Sequence, residues 1–137
     1  MIRAFRKDVY EELKKMGKER FFPVKYKTQR HMAESELYYY AADDYEPSDM
    51  SFIGEKTIVY KNKKQKFYLF KVLFNEDSEE GDISQYLGIA GPYSTDPNNY
   101  NSDHDATGLL WDEEFDNKKI DKLFKKYIAG LEENHGN

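Results

Sequence analysis

The chain has no cysteine. Disulfides, thiolate nucleophiles and cysteine-type zinc sites are therefore excluded, and a reducing compartment is compatible with the composition. It also lacks any long apolar run. The opening stretch MIRAFRKDVYEELKKMGK is interrupted by charge throughout, so it predicts neither a signal-peptide core nor a membrane span. A cytoplasmic protein with no membrane partner is the expectation. Catalytic signatures are missing as well: there is no GxSxG, no GxxxxGK[ST] and no GxGxxG. The three histidines, His31, His104 and His135, do not stand at HxxxH or HExxH spacing, which leaves helix-type zinc unsupported. No cofactor is called for, and no residue is assigned as catalytic or metal-binding.

Positive charge is absent from one long stretch. Between Lys71 and Lys118 there are twelve carboxylates and no Lys or Arg. The net charge of −5 divides into +6 over residues 1–30 and −11 over residues 31–137. An acidic face of this kind repels nucleic acid and attracts a basic protein or a divalent cation. A solvated acidic surface that keeps the protein soluble is the plainer explanation of the same charge.

Aromatic residues are plentiful: 16% of the chain, with 12 Tyr and 9 Phe. That content argues for an ordered core, since disordered chains are poor in rings. With 137 residues the chain is expected to form a single domain over 1–137. Ile2, Phe5, Val9, Leu13 and Met16 recur at helical spacing ahead of Gly17, which predicts a helix over 2–16. Alternation in RFFPVKYKT (20–28) and ELYYYAA (36–42) predicts two strands, the second with Tyr38 and Tyr40 on one face. DDYEPSDM (43–50) reads as a turn, KTIVYK (56–61) as a strand, NKKQ as a polar turn and QYLGIAG (85–91) as a short strand.

KFYLFKVLF (66–74) is the strongest strand signal. Both of its faces are apolar apart from Lys71, which predicts a central position. Ile120, Leu123, Phe124, Tyr127, Ile128 and Leu131 predict a C-terminal helix with Asp116 or Asn117 at its cap. The expected architecture is α+β: a mostly antiparallel meander sheet of four to six strands, with N- and C-terminal helices packed on one of its faces.

The segment 92–108, PYSTDPNNYNSDHDATG, has almost no periodicity and exceeds the usual connection length, as functional loops do. It runs into DHDATGLLWDEE, which resembles an EF-hand calcium loop over about twelve residues. Asp103, Asp105, Thr107, Gly108 and Glu114 fall at ligand and turn positions. Trp111 stands where a small polar residue or a water helps, and GPYSTDPNNYNS cannot form the entering helix. An acidic turn leading into a capped helix outweighs the cage. If Leu109, Leu110 and Trp111 run extended, the cage cannot close.

The functional expectation is a small acidic protein-binding domain, of inhibitor or immunity type by analogy, that docks a basic partner through its acidic and tyrosine-bearing surface. Its candidate binding residues are Tyr93, Tyr100, Asp103, His104, Asp105 and Trp111. The alternatives are a small enzyme with its site on the 92–108 loop around His104, and a calcium-binding module at 103–114.

Overall fold

A computed structural model describes residues 15, 17, 21, 26–43, 46–75, 83–96, 98–99, 106–111 and 117–135. The expected helix over 2–16 lies almost wholly outside the described residues, as do the acidic loop 76–82 and residues 100–105 and 112–116. Helix α1 spans Gln29–Ala42, and helix α2 spans Ile120–His135 behind a 3-10 turn at Asn117–Lys119. Between the helices run strands β1 (Asp49–Tyr60), β2 (Lys63–Asn75), β3 (Ile83–Tyr93) and β4 (Gly108–Trp111). They form one open sheet in the order β1-β2-β3-β4, each neighbour antiparallel. The architecture is the α+β meander that the short links between strands predicted.

Strand β2 is an inner strand, and its two sides feed two separate cores. Tyr68, Phe70 and Val72 pack with Met50, Ala90, Tyr93 and, from α1, Ala33, Leu37 and Tyr38. Phe67 and Leu69 pack on the other side with Tyr60, Leu87, Ile89 and, from α2, Phe124 and Ile128. Phe67, Leu69, Phe70 and Val72 are fully buried, each worth about 1.5–3 kcal/mol of transfer free energy. Helices α1 and α2 lie on opposite faces, because a strand that is apolar on both sides must be covered on both; the face expected for the 2–16 helix lies outside the described residues.

Two further elements differ from the sequence reading. Residues 36–42 are not a strand but the second half of α1. Thr28 caps that helix in an extended conformation, its hydroxyl accepting from the His31 N–H at 3.0 Å. Ala33, Leu37 and Ala41 then recur every fourth residue on the buried side. Tyr38 and Tyr40 therefore do not share a face: Tyr38 is 2% exposed and Tyr40 51%. Nor are the described residues of 20–28 a strand, since Phe21 sits in a 3-10 turn and 26–28 form the approach to the cap.

The β1–β2 hairpin turns at Lys61 and Asn62, with φ of 53° and 68°, one step earlier than NKKQ suggested. Two consecutive positive φ values match the right-handed twist of the flanking strands. The Gln65 amide then donates to the Tyr60 carbonyl at 2.7 Å and closes the turn. Strand β3 is longer than expected and carries an irregularity opposite Phe67, between the pairs Lys66–Tyr93 and Tyr68–Ala90. The extra residue shifts the alternation, so Tyr93 returns to the α1 face, where Ala90 also points.

Gly88 marks the closest approach of α1 to the sheet. A Cβ built there would meet Leu37 Cδ2 at 2.5 Å and Val72 Cγ2 at 2.8 Å. Gly88→Ala is expected to cost about 1–3 kcal/mol by overpacking, measured by urea unfolding. Combining it with Leu37→Ala should return less than the sum of the two single losses. Additive losses would show that α1 does not press on β3 at this point.

Candidate functional site: an anchored loop beside a cationic cleft

The long β3–β4 connection leaves the sheet after Tyr93 and returns at Gly108, and both of its ends are tied down. At the departing end the tie is Gln29, the first residue of α1, which is 1% exposed. Its amide nitrogen donates to the carbonyls of Ser94 at 3.0 Å and Asn99 at 2.9 Å, with a longer contact to Asp96 at 3.4 Å. Its amide oxygen accepts from the Tyr68 hydroxyl at 2.5 Å. One buried side chain thus joins helix, sheet and loop. Asp96 folds the turn further, its carboxylate accepting from the Asn98 N–H at 3.0 Å and its carbonyl from the Asn99 N–H at 3.0 Å.

At the returning end the Ala106 N–H donates to the Gly91 carbonyl at 3.1 Å. Thr107 Oγ1 accepts from the Gly91 N–H at 3.2 Å, and the Tyr127 hydroxyl of α2 donates to the Ala106 carbonyl at 3.0 Å. Ala106 is fully buried. The loop is therefore presented from a stem fixed to both helices, the way binding loops are held on rigid scaffolds.

The candidate binding residues occupy different parts of this arrangement. Tyr93 is an internal stem residue, 1% exposed. Its ring meets Tyr68 edge-on at 5.6 Å, and its hydroxyl donates to Glu36 on α1 at 2.5 Å. Trp111 ends β4, in register with Tyr86. Tyr100, Asp103, His104 and Asp105 lie outside the described residues. Leu109, Leu110 and Trp111 run extended, with Gly108 paired to Ile89, so the curl that a calcium loop requires at this glycine is replaced by a strand. Tyrosines Tyr38, Tyr60, Tyr68 and Tyr93 are core filler, not an exposed contact surface.

Beside the departing end lies a feature that the sequence reading missed: an open cleft of about 610 Å³ between the start of α1, the middle of β1 and β2, and Asn98. Among the described residues its lining includes Lys27, Arg30 and Lys66, the carboxylate Glu55 and the rings of Phe52 and Tyr68. The Arg30 guanidinium lies 4.6 Å from the centroid of Phe52, within cation–π range. Lys66 Nζ is 6.0 Å from the Tyr68 ring and 3.8 Å from Glu55. Burial pushes the Tyr68 hydroxyl up to about 12, with the Glu55 charge adding to the rise and Arg30 opposing it. Burial, and then the hydrogen bond to Glu46, raises Tyr38 further still. The segment-wide excess of positive charge before residue 31 was the one sequence signal that pointed toward this cleft.

No protein-family model, curated protein or solved structure matches the chain, so its chemistry is read from this geometry.

Gln29→Met keeps the shape of the side chain but strands the Tyr68 hydroxyl and the loop carbonyls. It is expected to cost about 1–3 kcal/mol and to speed hydrogen exchange over 94–99 while leaving β2 protected. Equal acceleration in β2 would make Gln29 a general core residue and not a loop anchor. Tyr68 gives a pH test. Its folded-state pKa is raised, so it contributes stability that is full below pH about 10 and lost as the pH climbs toward about 12. Tyr68→Phe should flatten that part of the alkaline unfolding profile, followed by denaturant midpoints from pH 9 to 12.

Proposed function

We propose that this chain is a cytoplasmic protein-binding domain of the inhibitor or immunity type, which docks a basic protein partner through the acidic half of its sequence and catalyses no reaction. What supports the reading above all is the pairing of charge with anchorage. The stretch from Lys71 to Lys118 carries twelve carboxylates and no basic residue, and its central loop hangs from a stem held by Gln29 at one end and Tyr127 at the other. A field of one sign on a fixed support steers a complementary partner and raises the association rate. An anchored stem also lowers the ordering cost that a free loop meets on binding.

The contact residues in this reading are Tyr100, Asp103, His104 and Asp105 on the loop and Trp111 at the end of β4, with Tyr93 acting from inside the stem. No group of three or more His, Asp or Glu side chains among the described residues is arranged to hold a metal, and none of the described helices is long and apolar enough to cross a membrane.

The test is kinetic. With a partner captured from the native host and then purified, association is measured by stopped flow as salt is raised from about 50 to about 500 mM, a range over which the screening length shrinks severalfold. A fall of roughly tenfold or more in the association rate is expected for the wild type. Reversing Asp77, Glu79 and Glu80 to Lys should produce a comparable slowing at low salt. An association rate indifferent to both salt and charge reversal would refute the docking surface.

A further inference from the structure

We propose that strand β1 is a dimerisation edge, along which a second copy of this chain pairs antiparallel with Ile58 on the two-fold axis. The inference uses no residue of the β3–β4 loop and stands apart from the acidic docking surface.

Strand β1 comes first in the sheet order and, among the described residues, is paired on one side only, to β2. It has 12 residues, against four in β4 at the opposite edge. A long edge strand presents a row of backbone donors and acceptors to any strand that can lie beside it. Its side chains are open as well. Glu55, Thr57 and Val59 are exposed, and Val59, an apolar β-branched residue, reaches 62%. The irregularity between Phe52 and Gly54 breaks the alternation, and the chain turns away at Lys61 and Asn62. The regular part of the edge therefore runs from Gly54 to Tyr60.

That segment is complementary to itself. Two copies joined edge to edge about an axis perpendicular to the sheet run antiparallel and keep their faces, so opposed residues must belong to the same face. Lys56 and Ile58 lie with Phe124 and Ile128 on the α2 side, and Tyr60 packs there too. Glu55, in register with Tyr68, lies on the α1 side, and alternation puts Thr57 and Val59 with it. The axis must then pass through a residue, which leaves few registers. An axis at Lys56 opposes two ammonium groups. At Thr57 it sets Glu55 against Val59 and Lys56 against Ile58, each twice. At Val59 it leaves only residues 58–60 of the strand within the ladder.

An axis at Ile58 has none of these faults. Ile58 then meets Ile58, Thr57 meets Val59, Lys56 meets Tyr60 and Glu55 meets Lys61 of the second copy. Apolar and β-branched groups face each other, and so do opposite charges. Glu55 and Lys61 each keep a contact within their own copy, to Lys66 at 3.8 Å and to the Tyr60 ring at 5.7 Å. The exposed cross-copy ion pair thus sets register more than strength. Every contact on one side of the axis recurs on the other, which favours a second copy over an unrelated strand. The pairing uses up the long edge of both copies, so the assembly closes as a dimer.

Sedimentation equilibrium of the full chain from about 1 μM to about 1 mM is expected to show a monomer–dimer equilibrium with Kd below about 100 μM. Val59→Asp should weaken it by roughly tenfold or more. Phe52→Ser, beyond the irregularity, should leave it unchanged. Val59 is exposed, so its variant is expected to fold, and circular dichroism checks this. Register is read by disulfide formation, since the chain has no cysteine of its own. Directly opposed residues lie about 4.5–5.5 Å apart at Cβ and diagonal ones about 7–8 Å, too far for a disulfide. Ile58→Cys should therefore cross-link to itself at least tenfold faster than Thr57→Cys or Val59→Cys, and a mixture of the last two should cross-link to each other. A monomer throughout the concentration range would overturn the proposal. So would a dimer that Val59→Asp leaves intact, or self-cross-linking fastest at residue 57 or 59. None of these results depends on the salt response of partner association, so either reading can fail alone.

Discussion

A strand that is apolar on both faces cannot tolerate water on either, and strand β2 imposes this constraint on everything around it. Its Phe67 and Leu69 look one way and its Tyr68, Phe70 and Val72 the other, all buried. The sheet must therefore be a middle layer, and the chain supplies a helix for each side. Helix α1 comes from residues that precede the sheet and helix α2 from residues that follow it, so no crossover within the sheet is needed and a simple meander suffices. The close contact at Gly88 follows from the same constraint: α1 must approach far enough to seal Phe70 and Val72, and a side chain at that point would hold it off.

Sealing both faces leaves a polar problem at the rim, where the β3–β4 connection departs. Its carbonyls lie close to the core, and such groups must find donors. Gln29 meets three of them with one amide and uses the other end of that amide to receive Tyr68. The network is fully used, so it can rigidify the loop base instead of weakening it. It also explains why a glutamine occupies the first turn of a buried helix face. The loop, the helix start and the central strand become one mechanical unit, and the cleft is built on that unit.

Elements whose polarity follows a single period were legible in the sequence. The C-terminal helix was one, with Phe124 and Ile128 inward and Lys118, Lys122 and Lys125 outward. The central strand and the extended Leu109–Leu110 pair were others. Helix α1 was not legible, because its buried stripe contains Gln29 and Ser35. Each is satisfied by a partner far along the chain, Ser35 by the Phe21 carbonyl at 2.8 Å, and no local pattern reveals such a partner. The tyrosine run 38–40 then imitated the alternation of a strand. The opposite placement of the helices was already implicit in the double-faced composition of 66–74. For the candidate site, Tyr93 looked like a contact residue only because the irregularity at Gly91 and Pro92, which turns it inward, has no signature in spacing. The cleft was invisible for a different reason: Arg30 and Lys66 become neighbours only through the packing of α1 on the sheet.

The loop stem and the cleft share a wall because one hydrogen-bond network builds both. Asn98 lines the cleft while its turn is held by Gln29, and the same Gln29 side chain receives the Tyr68 hydroxyl from β2. The amide that fixes the departing end of the loop therefore also fixes the start of α1 against the middle of the sheet. Arg30, one residue further along α1, is set over Phe52 of β1 by that same register, so loosening the amide would disturb the stem and the cleft together.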